Sequence, residues 1–553
     1  MKYLLFPGRH LVNTKFQEEY IREILSSPIS ESSVLDQNTW SDKDRISDII
    51  FAVTSANQAH SRYNPIPFYE RAIGLDRFAQ QYKRESDINY RIIGIPHFNP
   101  TANFAEYTLK EIAEQSEGKL VLNPKNTVVL CSTPALIKQY SELGFSILPA
   151  EYDPSSKSFK TLTPVDLVKK IAEAGEKWKD KEGITSKLSG ATLDTWHDFP
   201  DIPETLLRLW RDPLLTESGS LTLDRNYSSY AYGMSNDTLM DIKYNDIWTV
   251  IRQGKIVDEG CADGALMVRL ARDFPDSDII GIELTTEFTA RCEERLRASE
   301  FGGTYVHFHQ RNLLGKIFED STIDTTICNS TTHELWSYAE QEKSLRDYLK
   351  KKYDQTRENG RIIIRDVVGP DNAKEEIYMK LNDTDGSNDD IFKKCSDRDS
   401  LKEHLKGLST YARFIRFAEE YLADFRSQGR RGSETKINFK EDKMNGDRYI
   451  VLRNKDAVEF MTKKDYIDNW KSELNEEFTF WNFTEWKKAL ANSGFHVLEN
   501  PNDKEEMSRV YTNPWVIENR YKGKVELFKK INGVIEPISY PPTNVVLVAE
   551  KLP

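Results

Sequence analysis

The 553-residue chain has no uninterrupted apolar run of membrane-spanning length, which excludes an α-helical membrane protein. Its opening, MKYLLFPGRH, lacks the long apolar core and small-residue cleavage site of a secretory leader. Cysteine is scarce: Cys131, Cys261, Cys292, Cys328 and Cys395 are scattered without CxxC spacing. That pattern excludes a zinc ribbon and a disulfide framework, and no metal site is expected. A basic excess is missing too, since 76 Lys and Arg against 88 Asp and Glu leave a net charge of -12, which speaks against broad nucleic-acid binding. The local basic segment 426–431 (RSQGRR) reads as a solvated loop, with contact to an anionic substrate as the other reading. There is no internal repeat and no low-complexity tract. With 39% hydrophobic and 30% charged residues, what remains is a multidomain globular protein expected in the cytoplasm.

The strongest positive signal is residues 255–271 (KIVDEGCADGALMVRLA), where a short apolar run passes through small residues into a helix-like pattern. Gly260, Ala262 and Gly264 alternate along the turn, and backbone can approach a ligand closely only where side chains are small. A glycine-rich turn that merely reverses the chain is the bland alternative. The next segment, 277–284 (SDIIGIEL), reads as a buried strand ending in Glu283, about twenty residues past the turn, where an acid can bridge two ribose hydroxyls. A dinucleotide site would want its third glycine one place later than Gly264, where Ala265 stands.

The spacing Asp258-x-Gly260-x-Ala262-x-Gly264 resembles the first motif of the class I S-adenosylmethionine-dependent methyltransferases, with Ala262 in place of the middle glycine. The resemblance implies S-adenosyl-L-methionine as cofactor and a seven-stranded, mostly parallel sheet ending in an antiparallel edge. Strand-like segments follow in order at 304–309, 324–328, 360–368, 494–499 and 544–551. Asn312 stands where the family carries a residue that bonds the adenine, and Asn329 closes the fourth strand. His333, just beyond that strand, is the candidate catalytic base, because neutral imidazole can take a proton from an attacking hydroxyl. Glu334 would orient it or act in its place, as in some small-molecule O-methyltransferases; a hydrogen-bonded structural histidine is the alternative.

The front of the chain reads as another parallel α/β domain, with strands at 48–54, 90–95 and 127–131 after the opening one. Within it, 55–71 (SANQAHSRYNPIPFYER) resembles the nicotinamide-mononucleotide adenylyltransferases of the HxGH nucleotidyltransferase superfamily, matching at Asn64, Pro65, Glu70 and Arg71. Gly8 and Arg9 align with that family's first turn, but Thr14, Lys15, Phe16 and Gln17 stand where it carries HxGH, and Lys169 where it carries an arginine. Lysine lacks the planar fork that grips phosphate oxygens in two places. The resemblance therefore implies a nucleotide-binding or substrate-selecting domain whose reactive motifs are degraded, with Gly8, Arg9, Thr14, Gln17, His60, Asn64 and Arg71 as its candidate contacts. His10 is nearby, with a structural role equally open.

The fold class expected is α/β, two Rossmann-like parallel-sheet domains. Residues 1–180 form the first, 181–245 a helical connector, and 246–553 the second, with a mainly helical insertion at about 371–480. The connector includes 225–234 (RNYSSYAYGM), whose Tyr227, Tyr230 and Tyr232 either fold over the cofactor or pack between domains. In the insertion, 411–425 repeats aromatics at helical spacing, as core or as a lid over the substrate; Trp515 and Arg520 are further candidate substrate contacts. The leading expectation is methyl transfer to a small-molecule or nucleotide-like substrate, the front domain aiding recognition. A bifunctional nucleotidyltransferase/methyltransferase and a non-catalytic nucleotide-binding scaffold are the alternatives, and the sequence leaves oligomeric state and methyl acceptor open.

Overall fold

The computed structural model describes residues 2–35, 40–97, 103–212, 237–444, 446–499 and 507–553. The chain divides into two compact units, Met1–Gly219 and Ser220–Pro553. No helix among the described residues is long and apolar enough to cross a membrane.

In the first unit, β1 (Tyr3–Gly8), β2 (Asp48–Thr54), β3 (Asn89–Ile95), β4 (Thr127–Cys131) and β5 (Ser146–Pro149) form one sheet in the order β3-β2-β1-β4-β5, every pairing parallel. Successive residues of a strand point to opposite faces, so one apolar run feeds two cores. Leu4, Phe6, Ile49, Phe51 and Val53 pack on one face, and Leu5, Ile50, Ala52 and Ile147 on the other. Helix α1 (Lys15–Ser26) follows β1, and α2 (Phe68–Ser86) follows β2. The expected connector is not a body of its own. Its helices α3 (Gly190–Asp198) and α4 (Asp201–Arg211) bury Trp196, Ile202 and Leu206 against Leu167, Ile171 and Trp178, extending the first unit well past residue 180. Tyr227, Tyr230 and Tyr232 lie outside the described residues.

In the second unit, α5 (Asp237–Asn245) precedes β6 (Lys255–Glu259), β7 (Asp278–Glu283), β8 (Val306–Gln310), β9 (Ile323–Asn329) and β10 (Thr356–Val367). Helices α6 (Ala265–Asp273), α7 (Thr286–Arg297), α8 (Thr332–Tyr338) and α9 (Gln341–Gln355) fall between these strands. One departure from expectation concerns the strands that follow. The sheet has eight strands rather than seven; its last, β18 (Asn544–Glu550), lies inside, antiparallel to β10, and with β14 makes the antiparallel end of the sheet. The order is β8-β7-β6-β9-β10-β18-β14, with β14 (His496–Val497) and the short β15 (Arg509–Tyr511) both antiparallel to β18. The reason is burial: Val545, Leu547 and Ala549 enter one core while Val546 and Val548 enter the opposite one, and a strand apolar on both faces is most stable with covered flanks.

Beside its helices the insertion carries strands that its sequence does not announce. It holds an antiparallel sheet made of β11 (Glu376–Leu381), β12 (Phe439–Met444), β13 (Asp447–Arg453), β16 (Val525–Ile531) and β17 (Val534–Pro537), in the order β12-β13-β11-β16-β17. Two of its strands come from well beyond residue 480. Ile377, Met379, Ile450, Leu452, Val525 and Leu527 alternate inward along these strands, Tyr378, Tyr449 and Val451 form a smaller buried cluster on the other face, and such short period-two patterns are weak beside a long helical stripe. That stripe is core: Phe414, Phe417 and Ala418 of α11 (Thr410–Glu420) pack with Tyr421, Leu422 and Phe425 beneath the sheet.

Candidate active site

The strand order reverses between β6 and β9, both of which start from the middle of the sheet, and the carboxyl edge at such a switch point is where open α/β sheets hold ligands. The loop after β6 enters the left-handed region three times, at Gly260 (φ +74°), Ala262 (φ +48°) and Gly264 (φ +81°). Gly264 thereby becomes the N-cap of α6. At Gly260 a Cβ atom would stand 2.3 Å from Oγ1 of Thr331, so the missing side chain makes room for the chain's own loop after β9. The turn is stitched to β7: the N–H groups of Gly260 and Cys261 both donate to the Ile282 carbonyl, at 2.9 and 3.1 Å.

Glu283 ends β7 beside this turn. Its carboxylate accepts N–H groups from Ala262 (3.0 Å), Leu284 and Thr285 (both 2.8 Å). Burial pushes it up to about 7 against those hydrogen bonds, with the nearby Glu334 adding to the rise. Asp258 is 2% exposed, and burial, then the charges of Glu259 and Glu283, push it up to about 7 as well. Its Oδ2 has no hydrogen-bond partner among the described residues. Glu259 points elsewhere, into a buried ion pair with Lys352 and a hydrogen bond from Tyr348, each 2.5 Å. Asn312 follows β8, accepting the Leu314 N–H on its Oδ1 at 2.9 Å, while its neighbour Arg311 donates its N–H to the Glu283 carbonyl. Asn329, 9% exposed, closes β9 and takes the Ser330 hydroxyl on Oδ1 at 3.3 Å. The turn and the ends of β7, β8 and β9 thus bring Asp258, Glu283, Asn312 and Asn329 to one edge of the sheet.

His333 sits in the first turn of α8, buried between two acids. Its Nδ1 bonds Asp366 Oδ1 at 2.7 Å, and its Nε2 lies 3.6 Å from Glu476 Oε2. Burial by itself would lower the imidazole, but Asp366, through charge and hydrogen bond, outweighs it, with Glu476 and Glu334 adding, and the value rises to about 9. The two acids thus favour the charged form of the ring, which has no lone pair to accept a proton. Asp366 also accepts from the Thr332 hydroxyl (2.5 Å) and the N–H groups of Thr332 (2.7 Å) and Val367 (2.8 Å), so it pins α8 to the end of β10. Sequence reasoning missed Asp366, Glu476, Thr331 and Lys243. Only Asp366 left a signal, as an acid inside the apolar run of 360–368. Lys243 on α5 interacts electrostatically with Asp258, Asp366 and Arg365, and burial lowers it to about 8.

Residues 252–413 match a family model described as a methyltransferase domain. Over these residues the chain carries a methyltransferase domain. Among solved structures it is similar to a methyltransferase from Methanosarcina mazei, 14% identical over 55% of this chain and 96% of that one, with a TM-score of 0.28. Another is from Clostridium acetobutylicum, 11% identical over 59% and 99% of the two chains, TM-score 0.28. No curated protein sequence matches the chain. The residues of the methyltransferase domain suit the cofactor: a buried carboxylate oxygen of Asp258 without a partner and the braced carboxylate of Glu283 border a loop with no large side chain.

The sites proposed for the first unit look inward. Arg71, 3% exposed, donates to the carbonyls of Arg9, Thr54 and Ser55 at 2.9 Å each, tying the loops after β1 and β2 together. Thr14 and Gln17 form a capping box at the start of α1, and the Gln17 amide donates to Glu151 at 2.8 Å. Glu151 is 1% exposed and also takes the Ser132 hydroxyl, so a carboxylate stands beside the helix start where a phosphate would be sought. Arg9 lies over the Tyr63 ring, and Gly8 abuts His10, whose imidazole packs on Phe6 and is lowered to about 4 by burial. Asn64 donates to Gln58 at 2.8 Å, and His60 is half-buried at φ +56°. In the second unit Arg520 lies over the rings of Tyr466 and Trp515, away from the turn residues by sequence and grouped instead with the insertion.

Proposed function

We propose that the domain transfers the methyl group of S-adenosylmethionine to a small-molecule or nucleotide-like acceptor. The observation that carries this reading is the pair Asp258 and Glu283, one with an unpartnered buried oxygen and one braced by three backbone N–H groups, at the switch point of the sheet. Asp258, Gly260, Ala262, Gly264, Glu283, Asn312 and Asn329 are the residues that would hold the cofactor: Glu283 the ribose hydroxyls, Asn312 the adenine, Asn329 the amino-acid end. The cofactor, when bound, supplies an electrophilic methyl on a sulfonium. Ionised Asp258 and Glu283 favour that cation electrostatically, and the fixed turn orients it, which makes proximity and orientation the main catalytic terms.

His333 acts in this reading as a positioning residue: its ion pair with Asp366 fixes α8, and with it Glu334, over the sheet edge. Glu334 is then the group of the original pair left to contact an acceptor. The first unit contributes recognition without group transfer, since Gln17 and Glu151 satisfy each other where a nucleotidyltransferase would grip phosphate. Incubating the protein with methyl-labelled S-adenosylmethionine and a metabolite extract tests the proposal. A labelled small molecule that fails to form with Glu283→Ala is the expected outcome; no labelled product from the folded, cofactor-binding protein overturns it.

A further inference from the structure

The chain is acidic overall, yet one cavity in the insertion is basic. It measures about 480 Å³, and its lining includes Lys394, Arg398, Arg416 and Lys471 together with Leu401, Ile467 and Trp470. That volume is in the range of sites for small organic ligands. Its two acids are already committed. Asp397 caps helix α10 (Arg398–Gly407), taking the Ser400 N–H at 2.8 Å and the Ser396 hydroxyl at 2.6 Å, and Asp468 is paired with Lys402. None of Lys394, Arg398 and Lys471 forms an ion pair among the described residues.

Arg416 makes this a built site and not only a ring of surface lysines. It is 6% exposed, on α11, and held rigidly: Nε donates to Glu420 at 2.9 Å, and Nη1 to the carbonyls of Ile391 and Lys393 at 3.1 and 3.3 Å. Glu420 in turn takes the Trp470 indole N–H at 2.8 Å, which fixes the opposite wall. The bonds of Arg416 use Nε and Nη1 and leave Nη2, and a preorganised guanidinium edge flanked by three further cations suits a dianion.

We propose that this cavity binds a small organic dianion, a phosphomonoester or a dicarboxylate, at a site separate from the residues that hold the cofactor. Arg416 grips the anionic head, Lys394, Arg398 and Lys471 balance its second charge, and Leu401, Ile467 and Trp470 receive its apolar body.

The cavity carries its own reporter. Cys395 lines it and is half-buried, whereas the other four cysteines are buried. Alkylation of Cys395 by iodoacetamide, followed by mass spectrometry of the full-length protein, therefore reads occupancy without reference to methyl transfer. Phenyl phosphate and succinate are the two arms, with sodium chloride at matched ionic strength as control. The expected result is a several-fold slower alkylation of Cys395 with one of the two dianions and not with chloride, the effective arm naming the head group. Arg416→Gln and, should that variant fold poorly, the exposed pair Lys394→Glu with Arg398→Glu are expected to abolish the protection. An alkylation rate unchanged by both dianions overturns the proposal, as does protection that survives the charge-reversed pair.

Discussion

Replacing His333 by Gln tests the claim that this buried ring is a charged strut and not a base. The ordinary histidine value of 6.5 rises to about 9 in the folded protein. A rise of that size corresponds to about 3 kcal/mol of extra binding of the proton by the native state. The sign follows from the direction: the ring holds its proton more tightly folded than unfolded, so the stabilisation is fully present below 6.5 and disappears as pH climbs through about 9. Urea unfolding of the wild type and of His333→Gln at about pH 6 should differ by about 3 kcal/mol, and the gap should shrink toward the packing difference alone at about pH 10. The reciprocal shift of Asp366, held below the usual carboxylate range by the ring and its hydrogen bonds despite burial, places that half of the pair in its charged form throughout. A gap that does not change with pH, or an imidazole that titrates near its ordinary value by NMR, refutes the assignment. A general base would show itself differently, as a loss of turnover in the variant that follows an acid limb near the ordinary value, with stability little affected.

Three further outcomes are expected. Glu283→Ala should weaken S-adenosylmethionine binding by about 1.5–3 kcal/mol in calorimetry, through lost charge-assisted bonds; and because burial raises Asp258 and Glu283 to about 7, wild-type affinity should fall as pH drops below that value and these carboxylates protonate. A flat affinity across that range would contradict their role. Gly260→Ala forces a Cβ to within 2.3 Å of Thr331 Oγ1 in a left-handed backbone, and should cost about 1–3 kcal/mol of stability, part of which returns when Thr331→Ala is added; equal losses in the single and double variants would show that the clash is not the cause. Lys352→Met strands the buried carboxylate of Glu259 and should destabilise by about 3–5 kcal/mol, with Glu259→Gln restoring much of it, by urea unfolding; a near-neutral single variant would mean that the pair is not buried as described.

Much of the second unit's sheet is legible in the sequence because its strands are apolar on both faces. The runs 277–284, 324–328, 360–368 and 544–551 each coincide with a strand to within a few residues at either end. The turn after β6 is legible as well, since Gly260, Ala262 and Gly264 announce an unusual backbone. The antiparallel sheet of the insertion is not, for its strands are short and two of them arrive from residues 525–537, after the rest of the insertion has been traversed. The reason for Gly260 is equally hidden: the atom that needs its space belongs to Thr331, far along the chain.

Local chemistry, the part that sequence alone determines here, covers the apolar runs that must be buried, the turn that only small residues can make, and the acids placed at strand ends. Tertiary structure decides what state those groups are in. His333 reads as a base until Asp366 and Glu476 stand on either side of it, and Gln17 reads as a lost histidine until Glu151 meets its amide. A side chain's charge and availability depend on the field and hydrogen bonds of neighbours that are remote in sequence, and only the folded chain brings those neighbours within reach.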